Sequence, residues 1–193
     1  SGSAQAAYEM ILQQHGWEDG WPLLHRIAAN AASFPRSSSD VVRDVSAGQV
    51  IAGMAIDFYA YTQISHIGKD VLGFHAPRGG TAYTPDPIGV LRGTPRRPLA
   101  VRFVEFVLSE RGQRLWASPL GAPEGPQRHE LFRPPILPAL YGPHEKLVIE
   151  SRPFEDSAGF QLDEDLFERR SRLIGPLMKT SCIQLKDLMR KAW

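Results

Sequence analysis

The stretch IAGMAIDFYAYTQI, residues 51–64, predicts the fold class of the chain. Its first six residues are small or apolar, and the acidic Asp57 and the phenols of Tyr59 and Tyr61 follow them. A short apolar run of this kind is typical of a buried strand, so we expect a strand over residues 49–56. A strand that leads into an acid and phenols is explained if its end faces a ligand-binding cleft.

The rest of the chain predicts helices that alternate with short strands. Apolar residues recur every three or four positions in the helical segments, whereas the strand candidates are short apolar runs between turn residues. The predicted helices are 4–15, 21–30, 41–47, 99–108, 109–116, 163–174 and 183–192, and the other predicted strands are 71–75 and 87–91. Residues 119–153 are rich in proline, so we expect an extended wrap over a surface. This alternation favours an α/β architecture.

Length, charge and cysteine content exclude several classes of protein. The chain has 193 residues and a formal net charge of +1, so its overall charge gives no support to binding of nucleic acid. No uncharged apolar stretch approaches the roughly 18 residues that a membrane-spanning helix needs. The single cysteine, Cys182, rules out an internal disulfide, and we expect it to pack as a small apolar residue.

The sequence gives no support to catalysis, to a cofactor or to a metal site. Its six histidines are scattered, without the spacing that places two ligands on one face of a helix or strand. It contains neither a nucleophile elbow, nor a phosphate-binding lysine loop, nor a dinucleotide-binding glycine motif. We therefore predict a binding protein rather than an enzyme, with no catalytic residue and no metal ligand.

Two clusters of small hydroxyl residues stand where helices are predicted to begin. SGSA at residues 1–4 opens the first helix, and SSSD at residues 37–40 opens the third. Free backbone N–H groups and the positive end of the helix dipole make such a start suitable for an anion or a polar ligand. Ordinary capping by serine explains either cluster taken alone. Combined with a strand end at Asp57, the clusters favour a ligand site at one edge of the sheet.

Asp57 and the two tyrosines that follow it each admit a binding and a structural interpretation. Asp57 either orients a ligand hydroxyl or ammonium group, or caps the helix that follows it. We interpret Tyr59 as a ligand-binding phenol and Tyr61 as a packed ring with its hydroxyl at the rim of the core. On a strand the two phenols share one face, whereas on a helix they diverge by about 200 degrees, so a joint metal site requires a strand.

Three stretches together resemble one protein family. Residues 1–60, from SGSAQAAYEM to AIDFYA, resemble the second lobe of periplasmic substrate-binding proteins of ABC importers, in the type II group that includes iron(III)-binding relatives. Residues 77–116, from PRGGTAYTPDP to ERGQRLW, are similar to the segment with which that family crosses back to its first lobe. Residues 121–136, GAPEGPQRHELFRPPI, look like the tail of one branch of extracellular solute-binding proteins.

The resemblance implies an α/β fold of the type II periplasmic-binding-protein kind, made of lobe two and the returning part of lobe one. Lobe two would occupy residues 1–80, the returning strand and helices residues 81–118, and the proline-rich wrap with the closing helices residues 119–193. About one hundred residues of lobe one would precede the chain, within the usual size of a domain. The ligand of such a protein lies between the lobes, and the membrane permease recognises the closed form.

The ligand-facing positions of the family carry over onto the two helix starts and the strand end. These positions are Ser1, Gly2, Ser3, Ser37, Ser38, Ser39, Asp57 and Tyr59. Iron(III) binders of the family use adjacent tyrosines, whereas Ala60 separates Tyr59 from Tyr61 here. The resemblance implies a small solute (phosphate, carboxylate, sugar phosphate or ferric complex) and an ABC permease as partners, without nucleic acid, in the periplasm. The alternative function is a ligand-sensing effector domain of a regulator.

The predicted helix over residues 99–108 carries an apolar stripe that includes Phe103 and Val107. Burial of such a stripe is worth several kcal/mol at roughly 25 cal/mol per Å², so the chain gains by covering it. We expect the wrap over residues 119–153, a partner chain or a second copy of the chain to cover this helix.

Overall fold

The computed structural model describes residues 2–77, 79–84, 86–156 and 160–192. The helices are α1 (Gly2–His15), α2 (Trp17–Asn30), α3 (Ser38–Ser46), α4 (Asp57–Ile67), α5 (Arg97–Leu108), α6 (Glu110–Ala117), α7 (Pro153–Asp156), α8 (Glu164–Leu177) and α9 (Lys186–Ala192). A 3-10 turn covers Pro138–Tyr141, and a π-helical segment, Met178–Ile183, continues α8 towards α9. Among these described helices, none is both long enough and apolar enough to cross a membrane.

The predicted α/β fold of the type II kind is wrong, because the described residues contain helices and no strand. The segments predicted as strands, 49–56, 71–75 and 87–91, are irregular instead. A strand needs the backbone N–H and C=O groups of a neighbouring strand, and an apolar run cannot supply that partner by itself. Ile51 is fully exposed and Leu91 is 82% exposed, so residues 49–56 and 87–91 are not the buried strands that their composition suggested.

Helix α1 forms where the periodicity predicts a helix, and it packs against α2 and α8. Gly16, at a φ of 80°, separates α1 from α2 in the left-handed region that glycine tolerates best. The core between these helices consists of Leu12, Leu24, Ala28, Ile174, Met178 and Cys182. Cys182 therefore packs as a small apolar residue, as predicted, and burial raises the pKa of its thiol.

A buried ion pair ties α1 to α8. The side chain of Glu9 is fully buried, and its Oε1 accepts a hydrogen bond of 2.9 Å from Gln13 and one of 3.2 Å from Arg170. The guanidinium of Arg170 also lies 4.6 Å from the ring centroid of Trp17. A carboxylate without water needs such partners, so this pair fixes the position of α1 and with it the start of that helix.

The proline-rich segment wraps around α6. The N–H of Val148 donates to the carbonyl of Ala117 at 2.8 Å, and the N–H of Arg133 donates to the carbonyl of Trp116 at 3.0 Å. Phe132 is buried against Ala117 in the same small core. A separate small core holds α3 against α4 through Val42, Ile64 and Leu72.

The wrap does not cover α5, so that part of the prediction for this helix is wrong. Leu99 is 58% exposed and Phe103 is 59% exposed, because the wrap follows α6 rather than α5. Phe103 and Val107 face the edge of a large cavity instead. Residues at the starts of α1, α3 and α4 also line this cavity. It is the candidate site.

Candidate functional site

A cavity of about 1880 Å³ lies where α1, α3 and α4 begin. The extended segments that follow α3 and precede α5 form further parts of its wall, together with a short stretch of the proline-rich segment. Its lining includes Gly2, Ser3, Ser37, Ser38, Asp57, Phe58, Asp86 and Arg133. The cavity is partly open to solvent and is larger than the roughly 300–1,000 Å³ of a typical ligand pocket, so a small metabolite would occupy only part of it.

The three helix starts give the cavity its polar surface. Helices α1, α3 and α4 have 14, 9 and 11 residues, and residues of the first turn of each, where the positive end of the helix dipole lies, line the cavity. The hydroxyl oxygens of Ser3 and Ser38 are 3.4 Å apart, so the starts of α1 and α3 lie side by side. Neighbouring helix starts with serine hydroxyls favour an anionic or polar ligand.

The structure brings together five of the eight residues predicted as ligand-binding, namely Gly2, Ser3, Ser37, Ser38 and Asp57. Ser39 is exposed, and its hydroxyl oxygen lies 2.8 Å from that of Ser37. Tyr59 packs against the core between α3 and α4. Ser1 lies outside the described residues.

Asp57 has the structural role that its sequence position allowed, and it also lies at the cavity, where its ligand-binding role stays a prediction. It is the first residue of α4, and its Oδ1 accepts a hydrogen bond of 2.8 Å from the N–H of Phe58, which satisfies one free donor at the helix start. The same side chain lines the cavity. Burial raises the pKa of Asp57, although the Phe58 N–H and the nearby Arg133 guanidinium act in the opposite direction. The buried carboxylate has lost part of its hydration, so a hydrogen-bond donor on a ligand would stabilise its charged form.

Tyr59 and Tyr61 lie on helix α4, so their phenols diverge by about 200 degrees and do not form a joint iron site. The ring of Tyr61 packs edge-on against Phe74 and stacks on Phe132, at centroid distances of 5.3 Å and 6.4 Å. Burial raises the pKa of the Tyr61 phenol, as expected of a packed ring. Within the described ranges, no group of three or more histidine, cysteine, aspartate or glutamate residues could hold a metal ion.

Sequence reasoning missed an arginine on the cavity wall. Arg133 lies in the proline-rich segment, forms an ion pair with Asp86 and places its guanidinium 3.8 Å from the ring centroid of Phe58. No spacing rule links these three residues, because the folded chain brings them together from distant segments. The sequence offered two weak signals: Arg133 stands before two prolines, and Asp86 stands between two prolines.

The charges of the described lining are mixed. It contains two cations, Arg36 and Arg133, and three acids, Asp44, Asp57 and Asp86. Most of the remaining lining is apolar or small. Such a surface can hold a small solute that has at least one anionic group for the cation and helix starts, and donors for the carboxylates.

Residues 1–118 match a family model described as bacterial extracellular solute-binding protein. Two curated relatives are each 29% identical to the chain over 166 residues: the phosphoglycerate transport regulatory proteins PgtC of Salmonella typhimurium (strain LT2) and of Salmonella typhi. Each alignment covers 80% of this chain, which spans about 40% of the length of the relatives. No solved structure matches the chain significantly. Because the family model covers more than half of its residues, the chain belongs to the bacterial extracellular solute-binding proteins.

Proposed function

We propose that this protein captures a small anionic solute in the cavity at the starts of α1, α3 and α4, on behalf of a membrane transport system. The observation that carries the proposal is the meeting of these helix starts beside the Ser3 and Ser38 hydroxyls, in a chain of a solute-binding family. Helix N-termini bind phosphate and carboxylate groups without needing a dedicated cation. We place this binding step in the periplasm, with an ABC permease as the partner.

The proposed solute is a phosphorylated hydroxy acid of the phosphoglycerate kind. Both relatives carry phosphoglycerate transport in their names. Such a solute offers anionic groups to the helix starts and a hydroxyl to the Asp57 carboxylate, which suits the mixed charges of the lining. A simple carboxylate lacks the phosphate and a sugar phosphate lacks the carboxylate, so each offers one kind of anionic group fewer to the helix starts. A ferric complex is the least supported solute, because Tyr59 and Tyr61 diverge on α4.

A regulatory role is the second candidate function, since the names of the same relatives describe transport regulatory proteins. In that case the protein would signal solute binding to a regulator of transport, instead of delivering the solute to a permease. The two roles separate in cells that make the transporter constitutively. Loss of solute uptake on deletion of this protein supports delivery, whereas intact uptake, with loss of the solute response of a separate reporter gene under the native transporter promoter, supports sensing.

Calorimetric titration of the full-length protein with phosphoglycerate, glycerate, inorganic phosphate and a neutral sugar tests the proposed binding. Phosphoglycerate is expected to bind most tightly, because it alone presents phosphate, carboxylate and hydroxyl groups together. The variant Ser38→Ala should weaken binding by about 2- to 10-fold through loss of one hydrogen bond. Ser65→Ala is the matched control, since Ser65 is exposed near the end of α4 and its hydroxyl bonds only within that helix. Equal affinity for the neutral sugar and for phosphoglycerate would exclude an anion-selective site.

A further inference from the structure

We propose that Arg133 is a specificity-determining residue of the cavity, and that an anionic group of the solute replaces Asp86 as its partner. This inference rests on the proposed function, because it concerns the same site. It adds a residue of the proline-rich segment that the family match over residues 1–118 does not reach.

The backbone around Arg133 is held by the core. Phe132, the preceding residue, is only 6% exposed and has a φ of 53°, a conformation that non-glycine residues adopt only when surrounding contacts enforce it. The N–H of Arg133 donates to the carbonyl of Trp116 at 3.0 Å. Further along, the N–H of Ile136 donates to Oε1 of the buried Gln113 at 2.9 Å. The arginine therefore projects from a fixed base into the cavity.

The guanidinium itself is oriented by an aromatic ring. It lies over Phe58 at 3.8 Å from the ring centroid, and Phe58 belongs to the first turn of α4. The contact with the ring uses none of the N–H donors of the guanidinium, and one of them, at Nη1, donates to the Asp86 carboxylate, the position that an oxyanion of the solute would take. An arginine oriented in this way binds carboxylate or phosphate with little loss of side-chain entropy.

Asp86 is an exchangeable partner rather than a buried one. Its side chain is 84% exposed, whereas that of Arg133 is 34% exposed. Water screens an ion pair of this exposure and competes for both groups, so a solute that brings its own oxyanion into the cavity can displace Asp86. Asp57, the other acid near Arg133, is engaged by the N–H of Phe58 and stays with its helix. Asp86 therefore occupies the position beside the Arg133 guanidinium that we assign to an anionic group of the solute.

Titration of four variants of the full-length protein with phosphoglycerate tests the exchange. Arg133→Gln should weaken binding by about 10- to 100-fold, through loss of charged hydrogen bonds. Arg133→Lys should restore only part of this loss, because lysine keeps the charge without the planar fork. Asp86→Asn should tighten binding, since it removes the competing carboxylate. Arg128→Gln is the control, because Arg128 is an exposed cation of the same segment.

Each outcome bears on the exchange. Loss of affinity in Arg133→Gln together with a gain in Asp86→Asn supports it, provided that both variants melt cooperatively. Unchanged affinity in Arg133→Gln overturns the inference while the proposed function stands. A loss in both variants overturns the exchange, since the pair then serves to hold the cavity wall. If the wild-type protein binds none of the anionic solutes, the proposed function fails and the inference fails with it.

Discussion

Replacement of Asp57 by asparagine is expected to weaken solute binding by about 10- to 150-fold while the fold stays intact. The carboxylate lines the cavity, and a hydrogen bond between a charged group and its partner is worth about 1.5–3 kcal/mol, which corresponds to that range of affinity. Asparagine keeps an oxygen that can accept from the N–H of Phe58, so α4 retains its start. Asp57→Ala loses this acceptor as well, and should also lower stability by about 1 kcal/mol.

The same substitution should remove a pH dependence of stability. Burial raises the pKa of Asp57 in the folded protein, so the folded state holds the Asp57 proton more tightly than the unfolded chain does. The proton therefore favours folding below the unfolded pKa of about 3.9, and this contribution is lost as the pH rises through the folded pKa. Between the unfolded and the folded pKa of Asp57, the free energy of unfolding of Asp57→Asn should rise relative to that of the wild type. Above the folded pKa, the difference between the two free energies should stay constant.

Calorimetric titration with phosphoglycerate at neutral pH, together with thermal melts across the acidic range, measures both effects. Asp70→Asn is the matched control, because Asp70 is an exposed aspartate in the loop after α4. Unchanged affinity in Asp57→Asn, combined with a lower melting temperature, would mean that the acid serves only the start of the helix. That result would remove Asp57 from the site.

Three further predictions concern the scaffold. Arg170→Leu should destabilise the protein by about 3 kcal/mol in denaturant titrations, because it leaves the fully buried Glu9 without its cation; if adding Glu9→Gln recovers none of the loss, the ion-pair explanation is wrong. Tyr61→Phe should leave solute affinity unchanged in calorimetry, since the ring packs in the core, and a tenfold loss would contradict this. Gly112→Ala should lower stability by about 3 kcal/mol, because a Cβ there would collide with the Phe106 carbonyl; an unchanged melting temperature would refute the packing of α6 on α5.

The helices were predictable where local signals determine them. Ser109 accepts from the N–H of Gly112 at the start of α6, and Asp163 accepts from the N–H of Leu166 at the start of α8, and the two helices were predicted to begin at these residues. Helix α2 begins at Trp17 rather than at the predicted Trp21, and both Gly20 and Pro22 lie inside it. Gly20 lies inside the helix because its missing side chain admits Leu12 of α1, a contact that composition does not reveal.

The strands were predicted wrongly for a physical reason. An apolar run such as residues 51–56 indicates that a segment can be buried. A strand also needs a partner strand whose backbone groups are unpaired. The small hydroxyl residues at the starts of α1 and α3 lie at the cavity, whereas the sheet edge at which the sequence predicted a ligand site is absent from the described residues. The contact of Arg133 with Phe58 and Asp86 was beyond prediction, because only the folded chain brings the three side chains together.

A crystal structure of the full-length protein with phosphoglycerate tests the central claim most directly. We expect electron density for the solute in the cavity, with one of its anionic groups within hydrogen-bonding distance of the Ser3 and Ser38 hydroxyls at the starts of α1 and α3. Solute bound at another surface, with these helix starts facing only water, would contradict the proposed binding site.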